Sequence, residues 1–197
     1  VNGNIISNMA AGTYLIRVTD TESCTADINV QIAENSALSL SVTNSTDPTC
    51  FDGQDGAIDI TISGGVEPYL YNWSNGANVQ DPAGLGAGTY VLTVTDANNC
   101  QTISGNIILD NPAAPVLTLN STTNTECNAS VGQAVLEADT DGTITVDGDA
   151  QAVTANNPVT FTGLSAGFYT ALFEDTNGCQ AEVSFNITND NSDLSAS

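Results

Sequence analysis

The residues of this chain best placed for covalent chemistry are its five cysteines, because most other reactive side chains are missing. There is no histidine, no lysine and a single arginine, Arg17. A neutral-pH imidazole base, a Schiff-base amine and a histidine-assisted zinc site all lack their principal residue. Carboxylates remain, 23 of them against one basic side chain, for a formal charge of −22. Paired carboxylates can cleave glycosides across a cleft, but these are scattered along alternating segments, so catalysis is not expected. The same charge balance excludes nucleic acid and anionic lipid, which are bound through Lys and Arg. What it does suit is a soluble, self-repelling surface, on which Arg17 is expected to point outward from a strand and pair with a carboxylate.

Three of the cysteines recur in register with other landmarks. Tyr14, Tyr90 and Tyr169 are 76 and 79 residues apart, and Asp20, Asp96, Asp175 and Cys24, Cys100, Cys179 keep those intervals. A repeat period is the first thing to settle about a chain, and this one divides 197 residues into small modules. The second and third copies each have a further cysteine, Cys50 and Cys127. Pairing within a copy, Cys50 with Cys100 and Cys127 with Cys179, is the expectation, leaving Cys24 without a partner. The alternative joins Cys50 to Cys179 and staples neighbouring modules. Matching cysteine pairs in small β-modules point to an oxidising compartment, and closing such a loop is worth roughly 4 kcal/mol in the chain-entropy model.

The elements that position these residues read as strands. After Gly88, residues Tyr90, Leu92 and Val94 point one way and Thr89, Thr93 and Thr95 the other, the period-two pattern of a half-buried strand. Its Leu-x-Ala-Gly-x-Tyr opening resembles the tyrosine corner of immunoglobulin-like sandwiches, which assigns Tyr14, Tyr90 and Tyr169 to that role. A turn rich in Asp, Asn and Gly follows, then a second alternating strand, so each copy ends in a hairpin. Upstream, Ile58, Ile60 and Ile62 alternate with Asp59, Thr61 and Ser63, and Pro68 to Trp73 begins the next strand. The predicted fold is all-β: tandem immunoglobulin-like, Greek-key β-sandwich modules in an extended array. Residues 1–33 form the terminal hairpin of a truncated module, 37–110 a complete one, 115–189 a divergent one, and 190–197 a linker or the start of another. Asn111 to Pro115, with two prolines, is expected to be a short, stiff linker. No stretch is long and apolar enough to cross a bilayer, and the chain reads as a window of a longer array whose targeting signals lie outside it.

Two ligand readings need weighing. Asp52, Asp55 and Asp59, like Asp139, Asp141, Asp147 and Asp149, are close in sequence, and calcium takes six to eight oxygen ligands. Neither group follows a known calcium loop, and aspartates that fold turns through their own backbone amides explain them without a metal. No cofactor is therefore expected, calcium being the one ion these loops could hold. Tyr69, Tyr71 and Trp73 fall on one face of a strand and could stack on a sugar, although a tryptophan at that place in a sandwich is ordinarily core.

The second copy carries a family resemblance. Cys50, Gly53 and Gly56, then Gly64, Gly65, Pro68, Tyr69, Tyr71 and Trp73 to Gly76, then Gly84, Leu85, Gly88, Tyr90, Asp96 and Cys100 closely resemble, in order and spacing, the SprB-type repeat of gliding Bacteroidota. The first copy matches over its hairpin. The third departs: it lacks the Gly-Gly-Pro-Tyr-Trp segment, and Thr140 to Val146, with Asp141-Gly142 read as a hairpin turn, stands in its place. The resemblance implies a very large adhesin on the outer surface of the cell, exported by the type IX secretion system and moved by the gliding motor. Its partners would be neighbouring modules, extracellular polysaccharide or the surface motility machinery. A carbohydrate-binding module of a secreted enzyme is the competing reading.

Overall fold

The computed structural model describes residues 5–126 and 131–190, and every regular element among them is a strand. In chain order these are β1 (Gly12–Thr19), β2 (Thr25–Ile32), β3 (Ser39–Thr46), β4 (Gly56–Ser63), β5 (Leu70–Trp73), β6 (Ala83–Leu85), β7 (Gly88–Tyr90), β8 (Leu92–Thr95), β9 (Gln101–Ile103) and β10 (Ile107–Leu109). They continue as β11 (Leu117–Thr123), β12 (Thr125–Glu126), β13 (Gly132–Ala138), β14 (Gly142–Val146), β15 (Asp149–Val153), β16 (Val159–Leu164), β17 (Gly167–Asp175), β18 (Gln180–Ile187) and β19 (Asn189–Asp190). Two compact units form. One takes the chain up to Thr43 with Ile60–Gln80 and Val91–Gly105, and the other Asn44–Asp59, Asp81–Tyr90 and the chain from Asn106.

In the first unit β1 and β2 pair antiparallel from Gly12 opposite Ile32 to Thr19 opposite Thr25. Arg17 stands directly across from Asp27, and its guanidinium donates to both carboxylate oxygens at 2.7 Å, which is the outward ion pair its position predicts. Ile16, Val18, Ile28 and Val30 on this hairpin are exposed. The sheet β5-β8-β9 sets Trp73 opposite Leu92 and Tyr71 opposite Val94, and Trp73, Leu92 and Val94 are buried. Alternation in β4 follows the sequence, with Ile58 and Ile60 buried and Asp59 and Thr61 exposed.

The second unit holds the most regular part of the chain, a sandwich of two antiparallel sheets. One has the order β11-β13-β16 and the other β15-β14-β17-β18. Because β13 leads to β14, β15 returns to β16, and β16 crosses again to β17, the connections make a Greek key of the immunoglobulin-like kind. Apolar residues alternate inward from both sheets. Leu136 and Phe161 on one, and Ile144, Phe173 and Ile187 on the other, belong to a single buried core. Burying each such side chain contributes about 1.5–3 kcal/mol. Tyr169 and Phe185, opposite one another, stack with centroids 5.5 Å apart.

One sequence expectation is corrected here. Asp141-Gly142 is not a hairpin turn: Gly142 opens β14 between Val153 and Asp175, and the Asp141 carboxylate accepts the Ala155 amide at 2.8 Å. A Cβ on Gly142 would lie 2.3 Å from the Glu174 carbonyl oxygen, so close approach accounts for this glycine. The β14–β15 hairpin turns instead at Asp147-Gly148, whose φ angles of 51° and 84° suit the type I′ turn that matches strand twist.

Candidate functional site

The three repeated hairpins share one turn, built by an aspartate that ends a strand. Asp175 Oδ1 accepts the amides of Asn177 and Cys179, both at 2.8 Å, while the Asp175 amide donates to the Cys179 carbonyl at 2.9 Å. Asp96 does the same with Asn98, at 2.9 Å, and Cys100, at 2.8 Å, and Asp20 with Glu22, at 2.9 Å, and Cys24, at 2.8 Å. The residue before each cysteine is left-handed, with φ of 68° at Ser23, 64° at Asn99 and 86° at Gly178. Each cysteine is thus presented by a fixed five-residue frame, with both its backbone groups taken up by the aspartate. A tyrosine earlier in each copy's motif is fixed as well: Tyr14, Tyr90 and Tyr169 donate to the carbonyls of Ala10, Gly86 and Ser165 at 2.7–2.9 Å, four residues back in every case.

Asp96 has a further task. The residue is 4 % exposed and its second carboxylate oxygen accepts the Val66 amide at 3.1 Å. Burial pushes this carboxyl up, but hydrogen bonds from Cys100, Val66 and Asn98 outweigh it and hold the group below the ordinary carboxylate range. Sequence did not reveal the Val66 contact, since it bridges 30 residues.

The disulfide runs between copies. Cys50 is bonded to Cys179, 129 residues away with Cα atoms 5.4 Å apart, and Cys100 is a free, exposed thiol like Cys24. The expected Cys50–Cys100 bridge is therefore corrected, and Cys127, the expected partner of Cys179, lies outside the described residues. The loop that carries Cys50, within Asn44–Asp59, folds into the same compact unit as Cys179, whereas Cys100 folds into the other.

The loop that carries Cys50 is closely folded. Asp55 accepts both the amide and the hydroxyl of Thr49, and these bonds lower its pKa. Gly53 donates to the Cys50 carbonyl at 2.8 Å, and a Cβ on Gly53 would lie 2.8 Å from that oxygen. The spacing Cys-x-x-Gly is thus a steric requirement. Asp52, with φ of 55°, is held by Asn111, which accepts its amide at 2.9 Å and donates to its carboxylate at 3.1 Å. The start of the linker is clamped to this loop, a contact for which the sequence offered only the two neighbouring prolines as a sign of stiffness.

The candidate calcium aspartates are not drawn together. Asp52 is paired with Asn111, Asp55 with Thr49, and Asp59 points outward from β4. In the other group the Asp139 carboxylate accepts the Val116 amide and Asp149 accepts from Gln151. No cluster of three or more His, Cys, Asp or Glu with metal-site geometry occurs among the described residues.

The aromatic residues divide in the same way. Trp73 is 2 % exposed and its Nε1 donates to the Val79 carbonyl at 2.8 Å. Tyr69 donates to Gly64 and Tyr71 to Gln80. Both tyrosines are half-buried along a shallow open groove with Thr61, Glu67 and Pro68. The indole faces the interior, so the three rings do not form a stacking strip.

Residues 42–78 match the family model of the SprB repeat, covering the later part of β3, all of β4 and β5 and the loops between them. No curated protein matches the chain. Among solved structures, an eight-domain immunoglobulin array of Down Syndrome Cell Adhesion Molecule aligns over 91 % of this chain at 13 % identity and TM-score 0.48. The chain spans 27 % of that structure's length. Fibronectin(III)-like modules of Clostridium thermocellum CbhA align over 81 % of this chain and 98 % of theirs, at 11 % identity and TM-score 0.31. Extracellular domains 3–5 of Drosophila OTK align over 76 % of this chain and 66 % of theirs, at 16 % identity and TM-score 0.26.

Proposed function

We propose that this chain, whose residues 42–78 match the SprB repeat, is part of the non-catalytic structural and adhesive repeat region of a large secreted cell-surface adhesin. The modules are residues 37–110 and 115–189, preceded by the hairpin of another, and their task is to extend a binding element away from the cell. The observation that carries this reading is the Cys50–Cys179 bridge, a covalent tie between successive copies that suits an oxidising exterior. Gliding motility, export by the type IX system and association with the outer membrane follow from the SprB resemblance and belong to the same proposal. So do the partners: external polysaccharide, a solid substratum or the motility machinery. The burial of Trp73 favours this reading over a carbohydrate-binding module, which needs an open aromatic face.

Antibody raised against the chain and applied to intact cells of the producing organism tests the reading. Labelling of intact cells, and weaker surface attachment when the gene is deleted, are the expected results. Signal found only after lysis, with attachment unchanged, overturns it.

A further inference from the structure

We propose that Cys100 is the docking thiol for a preceding repeat: it bonds the cysteine of a Cys-x-x-Gly-x-x-Gly loop one copy upstream, as Cys179 bonds Cys50. The inference rests on the repeat reading but not on what the array attaches to.

The two thiols occupy one geometry. Around Cys100 and around Cys179 the aspartate four residues earlier accepts the cysteine amide at 2.8 Å and donates its own amide to the cysteine carbonyl at 2.9 Å. One of these frames holds a cysteine bonded to the opening loop of the copy before it, and the other an exposed free thiol. The disulfide thus identifies the kind of ligand this frame takes. Cys24 sits in the third such frame and is free and exposed as well.

The donor side repeats too. Asp47, three residues before Cys50, accepts the Asp110 amide at 2.8 Å, tying the end of β3 to the end of β10. Asn124, three residues before Cys127, accepts the Thr188 amide at 3.2 Å. The segment leading to the opening cysteine is therefore anchored alike in both copies. Each internal repeat gives one thiol forward and receives one from behind, so the bridges form a ladder along the array.

The chemistry is thiol–disulfide exchange with an oxidant of the glutathione-disulfide class. The opening-loop cysteine first forms a mixed disulfide with the oxidant, releasing one thiol. The Cys100 thiolate, its proton lost to solvent, attacks the loop sulfur, the new S–S bond forms, and the remaining oxidant sulfur leaves as a thiolate that takes up a proton.

The test is the full chain with residues 37–114 duplicated in tandem, refolded in reduced and oxidised glutathione and mapped without reduction. The second copy's Cys100 should be linked to the first copy's Cys50, and the second copy's Cys50 to Cys179, with the first copy's Cys100 open to alkylation. Cys50→Ser in the first copy should free only the second copy's Cys100, and the same change in the second copy only Cys179. A bridge between Cys50 and Cys100 of one copy, or both Cys100 thiols alkylated, overturns the proposal. A second measurement needs no duplication: a peptide of residues 47–56, activated at its cysteine as a thiopyridyl disulfide, should capture Cys100 of the unaltered chain several-fold faster than a scrambled peptide. Equal rates overturn the proposal. Neither measurement depends on surface display, which the antibody experiment reads separately.

Discussion

Asp96 Oδ2 accepts the Val66 amide at 3.1 Å, joining the turn after β8 to the segment that leaves β4. The other oxygen holds Asn98 and Cys100, so one buried carboxylate satisfies three amides. Its folded pKa is held below the ordinary carboxylate range by those amides, and the sign of the linkage follows. The stabilisation is present above the unfolded value and is lost as pH falls through the lower folded value. Asp96→Asn should lower the melting temperature near neutral pH and weaken its fall in acid, because the amide NH2 of asparagine cannot accept the second set of donors. Thermal melts between pH 7 and pH 2 check this, and parallel curves for the two proteins count against it.

Trp73 is the chain's one tryptophan, which makes its burial directly readable. Its emission should be blue-shifted in the folded chain, resist quenching by iodide and stay unchanged on adding neutral or acidic oligosaccharides. Trp73→Ala should cost about 3–5 kcal/mol, as for other large core truncations. A red-shifted, quenchable spectrum that responds to sugar would return the aromatic strand to the role of a binding face.

Much of this was legible from spacing, because local physics decides it. Alternation in β4 and β8 gave the buried face, and the run of Asp, Asn and Gly before each second strand gave a hairpin turn. The glycine two residues before each tyrosine lets the ring lie back against the chain, with a Gly88 Cβ position 3.8 Å from the Tyr90 ring. What the spacing did not give was non-local. Pairing Cys50 with Cys100 treated each repeat as closed, whereas Cys50 folds into the compact unit of Cys179 and Cys100 into the other. The Asp52–Asn111 clamp likewise depends on where a linker returns to a loop 59 residues earlier, and no periodicity encodes that. The third copy misled in a different way: Asp-Gly occurs twice, at 141–142 and 147–148, and only packing against Phe173 and Glu174 tells a strand glycine from a turn glycine.

The glycines of the segment that matches the SprB repeat separate by the same criterion. Gly64 and Gly76 both have positive φ, 68° and 87°, but a Cβ on Gly64 would sit 2.1 Å from the Ala37 carbonyl oxygen, while Gly76 has open space. Gly76→Ala should therefore cost about 1 kcal/mol, the backbone term alone. Gly64→Ala adds a collision with main chain and should cost roughly 3 kcal/mol or more. Urea titration of both variants checks the ordering, and equal costs would mean that the close approach to Ala37 is relieved at no expense.

The Cys50–Cys179 bridge closes 129 residues of sequence, and in the chain-entropy model a loop of that size is worth roughly 5 kcal/mol. Both cysteines belong to one compact unit, so the bridge restrains that unit as it unfolds. Cys50→Ser and Cys179→Ser should therefore give the same loss as each other and as the double variant, because all three remove the one bond. Cys100→Ser should leave the melting curve of this chain unchanged, since its thiol is free. Calorimetry under oxidising conditions distinguishes the cases. If Cys100→Ser instead matched the loss at Cys50, the bond in solution would lie within the second copy, and the covalent tie between repeats would not exist.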